Sequence, residues 1–510
     1  MVIIILSGPF SRSQTGIAEL TRILDSSSAI VPDDQVFIHT DRNLYHPDDT
    51  IFFQTYIRNR FTLTHETASL SLYVILSDTA GEVVDSARFR IDHSLAPGYL
   101  KIPNYVSPGY YRLVGFTSKM QNFDPGYAFG SWIRIDVQRS EKVKADFSFD
   151  KSVYSSGDTA EINISFTDDL GEPLKNESFL YSIVMNGENL NYYNSKTNRN
   201  GESLVRLYLP DSTQYMRLGI EVVLKEKSYQ SRISIPRDTD IPDLRFLPEG
   251  GTFIYGFSQR LAFNAVSENG KQIFAKGVIY DDMDKTIDTF ESGIYGPGLV
   301  EFTPEPDRSY HAELENYPGV KFNLPASSSE GFAIRADVDS NLLNVLINGI
   351  NEPADSCFLV LSMNNDLITV VPLSIEKSKQ LTFDTGPLPA GTVKITLYNN
   401  QLYPVAERLV LINSHKETVT TLKSKYSFYV SGQESELEVT FNDSQNKSVA
   451  GFFSIAVIDS SLGYYSDLPF KDIKESFLFD DEFYNNLPGK IRFAGLHNIS
   501  AAEVDILLMT

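Results

Sequence analysis

The side chains able to do chemistry are scattered along the chain rather than gathered into a motif. Seven histidines occur, at His39, His46, His65, His93, His311, His415 and His497. None belongs to a His-Glu-x-x-His helix, and no two are spaced as metal ligands on one element. His39 alternates with Ile38 in a strand-like run and reads as a packed or edge residue. Cys357 is the only cysteine, which excludes an internal disulfide and any cysteine-based zinc or iron–sulfur site. It enters the apolar run Phe358-Leu359-Val360-Leu361 and reads as a buried structural thiol. Asp281, Asp282 and Asp284 make the densest acidic turn, but the spacing and closing Glu of a calcium loop are missing, so a solvated hairpin tip is expected. Asp41, Asp49, Asp150 and Asp158 could be imagined around a cation. An Asp beside a turn more commonly accepts backbone N–H bonds and fixes entry into a strand, and Tyr45 and Tyr154 suit buried aromatics whose hydroxyls find a backbone partner. There is no Gly-x-Ser-x-Gly elbow, and Pro248-Glu249-Gly250-Gly251 lacks the Lys-Ser/Thr of a phosphate loop and reads as strand punctuation. The sequence thus offers no catalytic, cofactor-binding or metal-ligating set, and the expectation is a protein that is not an enzyme.

The elements that carry these residues are strands. At 510 residues the chain exceeds one hydrophobic core, and about three to five modules are expected. The 33 Phe and 27 Tyr, with abundant Val, Ile and Thr, favour pleated sheet. A formal charge of −22 without a basic run argues against nucleic acid. No stretch approaches the roughly 18 apolar residues of a membrane span.

An internal repeat organises the pattern. Asp41-Arg42-Asn43-Leu44-Tyr45-His46-Pro47-Asp48-Asp49-Thr50 returns as Asp150-Lys151-Ser152-Val153-Tyr154-Ser155-Ser156-Gly157-Asp158-Thr159, with a weaker third copy at Phe428-Tyr429-Val430-Ser431-Gly432. After the second copy Ile162, Ile164 and Phe166 alternate with polar residues; after the third, Leu437, Val439 and Phe441 do. Period two means one buried and one wet face. The first copy is mixed: Phe52 and Tyr56 oppose Phe53 and Ile57, so its second face is expected to be covered by a neighbour. A polar turn and an apolar strand follow in both later copies, Phe179–Val184 and Phe452–Val457. Asn200-Gly201 and Asn269-Gly270 favour the positive φ of tight hairpins. Ile17, Leu20, Ile23 and Leu24 keep helical period.

The resulting fold class is all-β, tandem sandwiches with a short N-terminal helix. The expected divisions are 1–34, a signal-like remnant with helix and linker; 35–140, 141–240, 241–328 and 329–415, four sandwiches; and 416–510, a fifth truncated at its C terminus. Val2-Ile3-Ile4-Ile5-Leu6 before Ser7-Gly8-Pro9 reads either as a truncated secretory signal or as a short apolar N-terminus. The apolar ending at Ala501–Thr510 suggests a fragment of a longer polypeptide.

Val36-Phe37-Ile38-His39-Thr40-Asp41, with Tyr45, Asp49 and Thr50, resembles the opening of the second macroglobulin domain of alpha-macroglobulins, and more closely that of large bacterial envelope proteins built from such domains. Phe246-Leu247-Pro248-Glu249-Gly250-Gly251, Ala406-Glu407-Arg408-Leu409-Val410 and Val504-Asp505-Ile506-Leu507-Leu508-Met509-Thr510 are similar to further recurrent motifs of that group. The resemblance implies tandem fibronectin-like, macroglobulin-type sandwiches in an exported protein of a Gram-negative periplasm or outer-membrane surface. Its partner would be another envelope protein, an outer-membrane receptor of the TonB-dependent type or a protease, and some relatives continue into such a receptor. A scaffold that binds through sheet edges and loop ends is expected; the alternative is a thioester-free endopeptidase inhibitor. Cys357-Phe358-Leu359-Val360 is not the Cys-Gly-Glu-Gln of a thioester, and no long bait-like segment is evident. Asn191–Asn200, with Lys196 and Arg199, is short enough for an ordinary hairpin loop.

Overall fold

The computed structural model describes residues 16–24, 30–136, 144–458 apart from short internal stretches, 472–478 and 500–509. The chain divides into two compact units: Met1–Val137, Leu244–Val266 and Gly270–Thr510 form one, and Gln138–Asp243 with Ser267–Asn269 the other. The segment Val2–Leu6, the Ser26–Ser28 linker, Asn269-Gly270, His415 and His497 lie outside the described residues.

The architecture is all-β, sandwich after sandwich. The first contains β1 (Asp34–Thr40), β2 (Leu44–Tyr45), β3 (Thr50–Asn59), β4 (Ser71–Ser77), β5 (Val83–Arg90), β6 (Leu95–Lys101), β7 (Gly109–Thr117) and β8 (Phe129–Ile135). A β1-β3-β6 sheet faces a β2-β8-β7-β4-β5 sheet. Alternation in β4 sends Leu72, Val74 and Leu76 inward, each with no exposed surface. The second face of β3 is covered at Tyr56, as the sequence anticipates, whereas Phe52 on the same face stays exposed. Tyr56, level with Phe37 in the register, is buried and donates from its hydroxyl to Ser454 Oγ at 2.9 Å. Phe477 packs edge-on against Phe37, ring centroids 6.1 Å apart, and lies under the Arg58 guanidinium, 4.3 Å from the ring centre. Burial, with the neighbouring Arg60 charge, draws Arg58 down to about 9, so it remains a cation at neutral pH.

The second unit holds β9 (Lys144–Phe149), β10 (Thr159–Thr167), β11 (Ser178–Met185), β12 (Glu188–Lys196), β13 (Glu202–Tyr208), β14 (Met216–Leu224) and β15 (Lys227–Ser234). The sheets are β13-β10-β9 and β12-β11-β14-β15, closing over Tyr154, Ile162, Ile164, Phe166 and Phe179. The segment Asn191–Asn200 is not a loop as a whole: Asn191–Lys196 belong to β12, and the reversal falls at Asn198–Gly201. Strand pairing with β11 claims the polar residues that composition alone assigns to a loop.

In the first unit again, β16 (Asp243–Pro248), β17 (Gln259–Val266), β18 (Lys276–Asp281), β19 (Thr286–Glu291), β20 (Gly298–Phe302), β21 (Tyr310–Leu314) and β22 (Phe322–Asn323) form the third sandwich, as β16-β17-β20 and β19-β18-β21-β22. The fourth contains β23 (Gly331–Asp339), β24 (Leu342–Ile350), β25 (Asp355–Met363), β26 (Asp366–Ser374), β27 (Ser378–Asp384), β28 (Gly391–Tyr398) and β29 (Pro404–Ile412), as β23-β24-β27 and β26-β25-β28-β29. Cys357 is wholly buried in its core. The outer face of β25 is covered by α1 (residues 16–24), whose Leu20 is fully buried against Phe358 and Val360 with Ile17 and Leu24 alongside.

Beyond residue 416 the described chain adds β30 (Val419–Ser424), β31 (Leu437–Asn442) and α2 (Ala501–Leu507). Here one expectation fails: Phe452–Val457 forms no strand, and Phe452, Phe453, Ile455 and Val457 are exposed. A strand needs neighbours for its backbone groups, and β30 and β31 pair with each other alone among the described residues. No described helix is long and apolar enough to cross a membrane.

Because α1 is too short to persist without its contact, Leu20→Ala releases it. Faster amide exchange over residues 17–24, with the β25–β28 pairing still protected, is the expected result; deleting a buried Leu is worth about 2–5 kcal/mol.

Candidate functional site

The repeated Asp/Tyr/Asp segment builds the same corner twice. Asp41 Oδ1 accepts from the Tyr45 hydroxyl at 2.7 Å and from Phe52 N at 3.0 Å. Asp150 Oδ1 accepts from the Tyr154 hydroxyl at 2.5 Å and from Glu161 N at 2.8 Å. The basic residue that follows reaches the second Asp: Arg42 Nη2 lies 3.3 Å from Asp49 and Lys151 Nζ 3.0 Å from Asp158. Burial, then the Asp41 charge, pushes the Tyr45 hydroxyl well above its usual value. The third copy keeps the backbone and changes the chemistry. Lys425 stands where the first Asp would be and pairs with Glu436 at 2.9 Å, while the Tyr429 hydroxyl turns to Ser424 Oγ at 2.7 Å. All three copies place a left-handed residue at one position: Asp48, φ 71°; Gly157, φ 83°; Gly432, φ 80°. These carboxylates fix corners, and their oxygens are engaged within the corner.

Asp281 belongs to a second recurrent device. Its Oδ1 accepts from Lys285 N at 2.9 Å, and the same bond to the amide four residues on is made by Asp78, Asp168, Asn198, Asn399 and Asp443. The third residue after each has positive φ, from Gly81 at 88° to Asp284 at 57°. Asp282 pairs with Arg308 at 3.0 Å and Asp284 with Lys321 at 2.9 Å. The acidic turn is a braced hairpin tip.

His39 Nδ1 lies 2.5 Å from Ser454 Oγ, and burial lowers its pKa. His46 Nδ1 meets the Asp136 carbonyl at 2.8 Å. His65 and His93 line a polar cleft of about 610 Å³ at one end of the first sandwich, with Asp33, Asp34 and Lys119. Asp34 is buried in its wall and accepts 2.6 Å bonds from the hydroxyls of Thr67, Ser69 and Thr117; Lys119 pairs with Asp33 at 3.0 Å. Among the described residues no three His, Cys, Asp or Glu side chains are grouped to hold a metal ion.

Charge is instead concentrated where the third sandwich meets the fourth. After β16 the chain runs Glu249-Gly250-Gly251 along the edge of β23: Ile334 N donates to the Gly250 carbonyl and Thr252 N to the Phe332 carbonyl, each at 3.1 Å. Gly250 has φ 68°, and a Cβ there would stand 1.9 Å from the Ile334 carbonyl oxygen, so glycine is required. This docking aims Glu249 at Arg408 of β29, which occupies the core-facing register between Ala406 and Val410. Glu249 Oε1 accepts from Arg408 Nε at 3.0 Å and Ala336 N at 3.1 Å, and both side chains are at most 2% exposed. Arg408 Nη2 donates to Asp505 Oδ1 of α2 at 2.7 Å. Outward the cluster continues: Arg260 lies 3.7 Å from Glu249 and 2.5 Å from Asp337, and Arg335 reaches Glu301 at 2.7 Å and Asp337 at 3.2 Å. Burial pushes the Glu249 and Asp505 carboxyls up, against the pull of Arg408.

Sequence reasoning read Glu249 as punctuation and gave Arg408 no role. The available signal was Arg408 itself, a cation in the apolar register of a strand otherwise buried at Ala406, Val410 and Ile412. Such a residue at a sheet edge demands a buried counter-ion. Glu249→Ala is expected to destabilise the first unit by about 3–5 kcal/mol, because Arg408 loses its inner partner. Joint Glu249→Leu and Arg408→Leu replacement is expected to cost less, as no lone charge remains; urea unfolding of the full chain compares them. In the hairpin turns, Gly201→Ala (φ 76°, with a Cβ 2.8 Å from the Phe166 carbonyl oxygen) should cost more than Gly81→Ala (φ 88°, open space). Their shared left-handed penalty is about 1–2 kcal/mol.

No family model matches the chain, and no curated protein matches it. Among solved structures, native Escherichia coli alpha-2-macroglobulin aligns with 81% of this chain and 32% of its own, at 10% identity and a TM-score of 0.36. Its trypsin-activated form aligns over 81% and 33%, at 10% identity and 0.40. Salmonella alpha-2-macroglobulin reacted with methylamine aligns over 88% and 34%, at 11% identity and 0.39. The chain spans about a third of the length of these neighbours.

Proposed function

We propose that the chain is a non-enzymatic scaffold of the bacterial cell envelope, built from macroglobulin-like sandwiches, that binds protein partners through sheet edges and loop ends. The observation that carries this reading is the use made of the candidate chemical groups. Asp41, Asp150, Asp281, Asp34, Glu249 and Arg408 each hold a turn, a core wall or a joint together. A group held in place by structural bonds has little freedom to attack, protonate or coordinate a substrate. The sheet edges β5, β15 and β19 each have a paired neighbour on one side alone among the described residues, and a strand edge is a ready template for an extended peptide.

The motif resemblance supports placing such a scaffold in the periplasm or at the outer-membrane surface, beside an outer-membrane receptor. Three motifs similar to those of the bacterial envelope group, Phe246–Gly251, Ala406–Val410 and Val504–Thr510, meet at one joint through Glu249, Arg408 and Asp505. They serve one structural purpose, the locking of successive modules.

Exposure of the intact chain to endoproteases of differing specificity separates this reading from protease inhibition. A scaffold is cut slowly at several places, does not co-elute with the protease and leaves its activity on a protein substrate unchanged. A single preferred cut followed by stable retention of the protease would overturn the proposal.

A further inference from the structure

The third repeat copy opens a module whose apolar side chains are left uncovered. Its turn closes as that of the second sandwich does: Val449 N donates to the Phe441 carbonyl and Leu174 N to the Phe166 carbonyl, each at 2.9 Å. The Phe441 and Phe453 ring centroids lie 5.3 Å apart, and those of Phe166 and Phe179 lie 4.9 Å apart. β31 therefore stands where β10 does, and Phe453 where Phe179 of β11 does. In the second sandwich β13 pairs with the far edge of β10 and brings Val205 and Leu207 into the core. Among the described residues nothing pairs with that edge of β31. Ile162 of β10 has no exposed surface, while Leu437 at the same place is 41% exposed. β10 begins at Thr159, opposite Tyr208 of β13. β31 begins at Leu437, and the stretch from Glu434, equivalent to Thr159, has no such partner among the described residues.

Two properties of this seat define its occupant. Lys425 N meets the Glu436 carbonyl from the β30 side, so alternation turns the amides of Leu437 and Val439 to the open edge. Their side chains share the face that holds Phe441, and an added strand must match it with apolar residues at every second position. The other face is acidic: Glu434, Glu436 and Glu438 are exposed in alternation. Lys425 answers from β30 by its ion pair and Lys423 by its register with Glu438, so three carboxylates meet two ammonium groups. In the second sandwich Glu161, at the place of Glu436, is met by Arg206 of β13 at 2.7 Å. A second copy paired edge to edge would instead set glutamate against glutamate.

We infer that the open edge of β31 receives, in antiparallel pairing, an extended segment of a partner protein in which apolar residues alternate with Lys or Arg. This rests on the scaffold reading and names the partner chemistry that one of its edges selects.

Hydrogen exchange on the full chain tests it with a nine-residue peptide, the length of β10, of alternating Val and Lys. The comparison peptide has Glu in place of Lys. At a Lys-peptide concentration ten times its Kd, the Leu437 and Val439 amides are expected to slow about tenfold. The Thr440 amide, paired toward Thr421 of β30, should keep its rate. The Glu peptide should change none of them. Glu434→Gln with Glu438→Gln, both at exposed positions, should weaken the Lys peptide about three- to tenfold; unchanged Thr440 protection shows that the hairpin is intact. Equal protection by both peptides, or by neither, overturns the inference. So does protection of Leu437 and Val439 before any peptide is added. If that protection rises with protein concentration, a second copy holds the seat; if it does not, another segment of this chain does. The protease experiment reads retention and not strand pairing, so failure here leaves the scaffold reading standing on its other edges.

Discussion

A cation in the core-facing register of an edge strand sets the terms for the first unit. Arg408 cannot reach water from its place between Ala406 and Val410, and an unpartnered charge in that position would cost several kcal/mol. The fourth sandwich therefore requires a carboxylate from outside itself. The third supplies it, by way of two glycines that let the chain lie against β23 while Glu249 turns inward. Hydrophobic contact alone would tolerate sliding between modules; a buried, hydrogen-bonded ion pair does not, because a small displacement breaks its bonds without restoring hydration.

The modules were legible because alternation is a local signal. Ile162, Ile164 and Phe166 face the core as their spacing requires, and α1 buries Leu20 on the face its period marks. The mixed face of β3 was a correct hint of a neighbour at Tyr56 but not at the exposed Phe52, and nothing local identified that neighbour as Ser454 and Phe477. The failure at Phe452–Val457 has the same root. Apolar content gives a segment a reason to be buried, while strand formation depends on partners from distant sequence. The joint was least legible: Glu249 and Arg408 lie 159 residues apart, and neither is unusual in its local setting except for the register of Arg408.

The three repeat copies show what the repeat preserves. The first and second keep Asp, Tyr and the basic residue, with nearly superimposable bonds. In the third, Lys425 replaces the Asp, yet the amide of that position still bonds the carbonyl across the corner, Lys425 N to Glu436 O at 3.2 Å, as Asp150 N does to Glu161 O at 3.1 Å. The backbone corner with its left-handed residue is the constant part, and the side chains are alternative ways of fastening it.

The cover over the first sandwich has a consequence for biosynthesis. Tyr56 and Ser454 are 398 residues apart, and Arg58 and Phe477 are 419. At elongation rates of about 5–20 residues per second, the Phe37–Tyr56 face emerges from the ribosome on the order of tens of seconds before the segment that shields it. Throughout that interval an aromatic surface on an already pleated sheet is open to solvent and to other nascent chains. A holding chaperone, or export in an unfolded state, would protect that surface until synthesis reaches its cover.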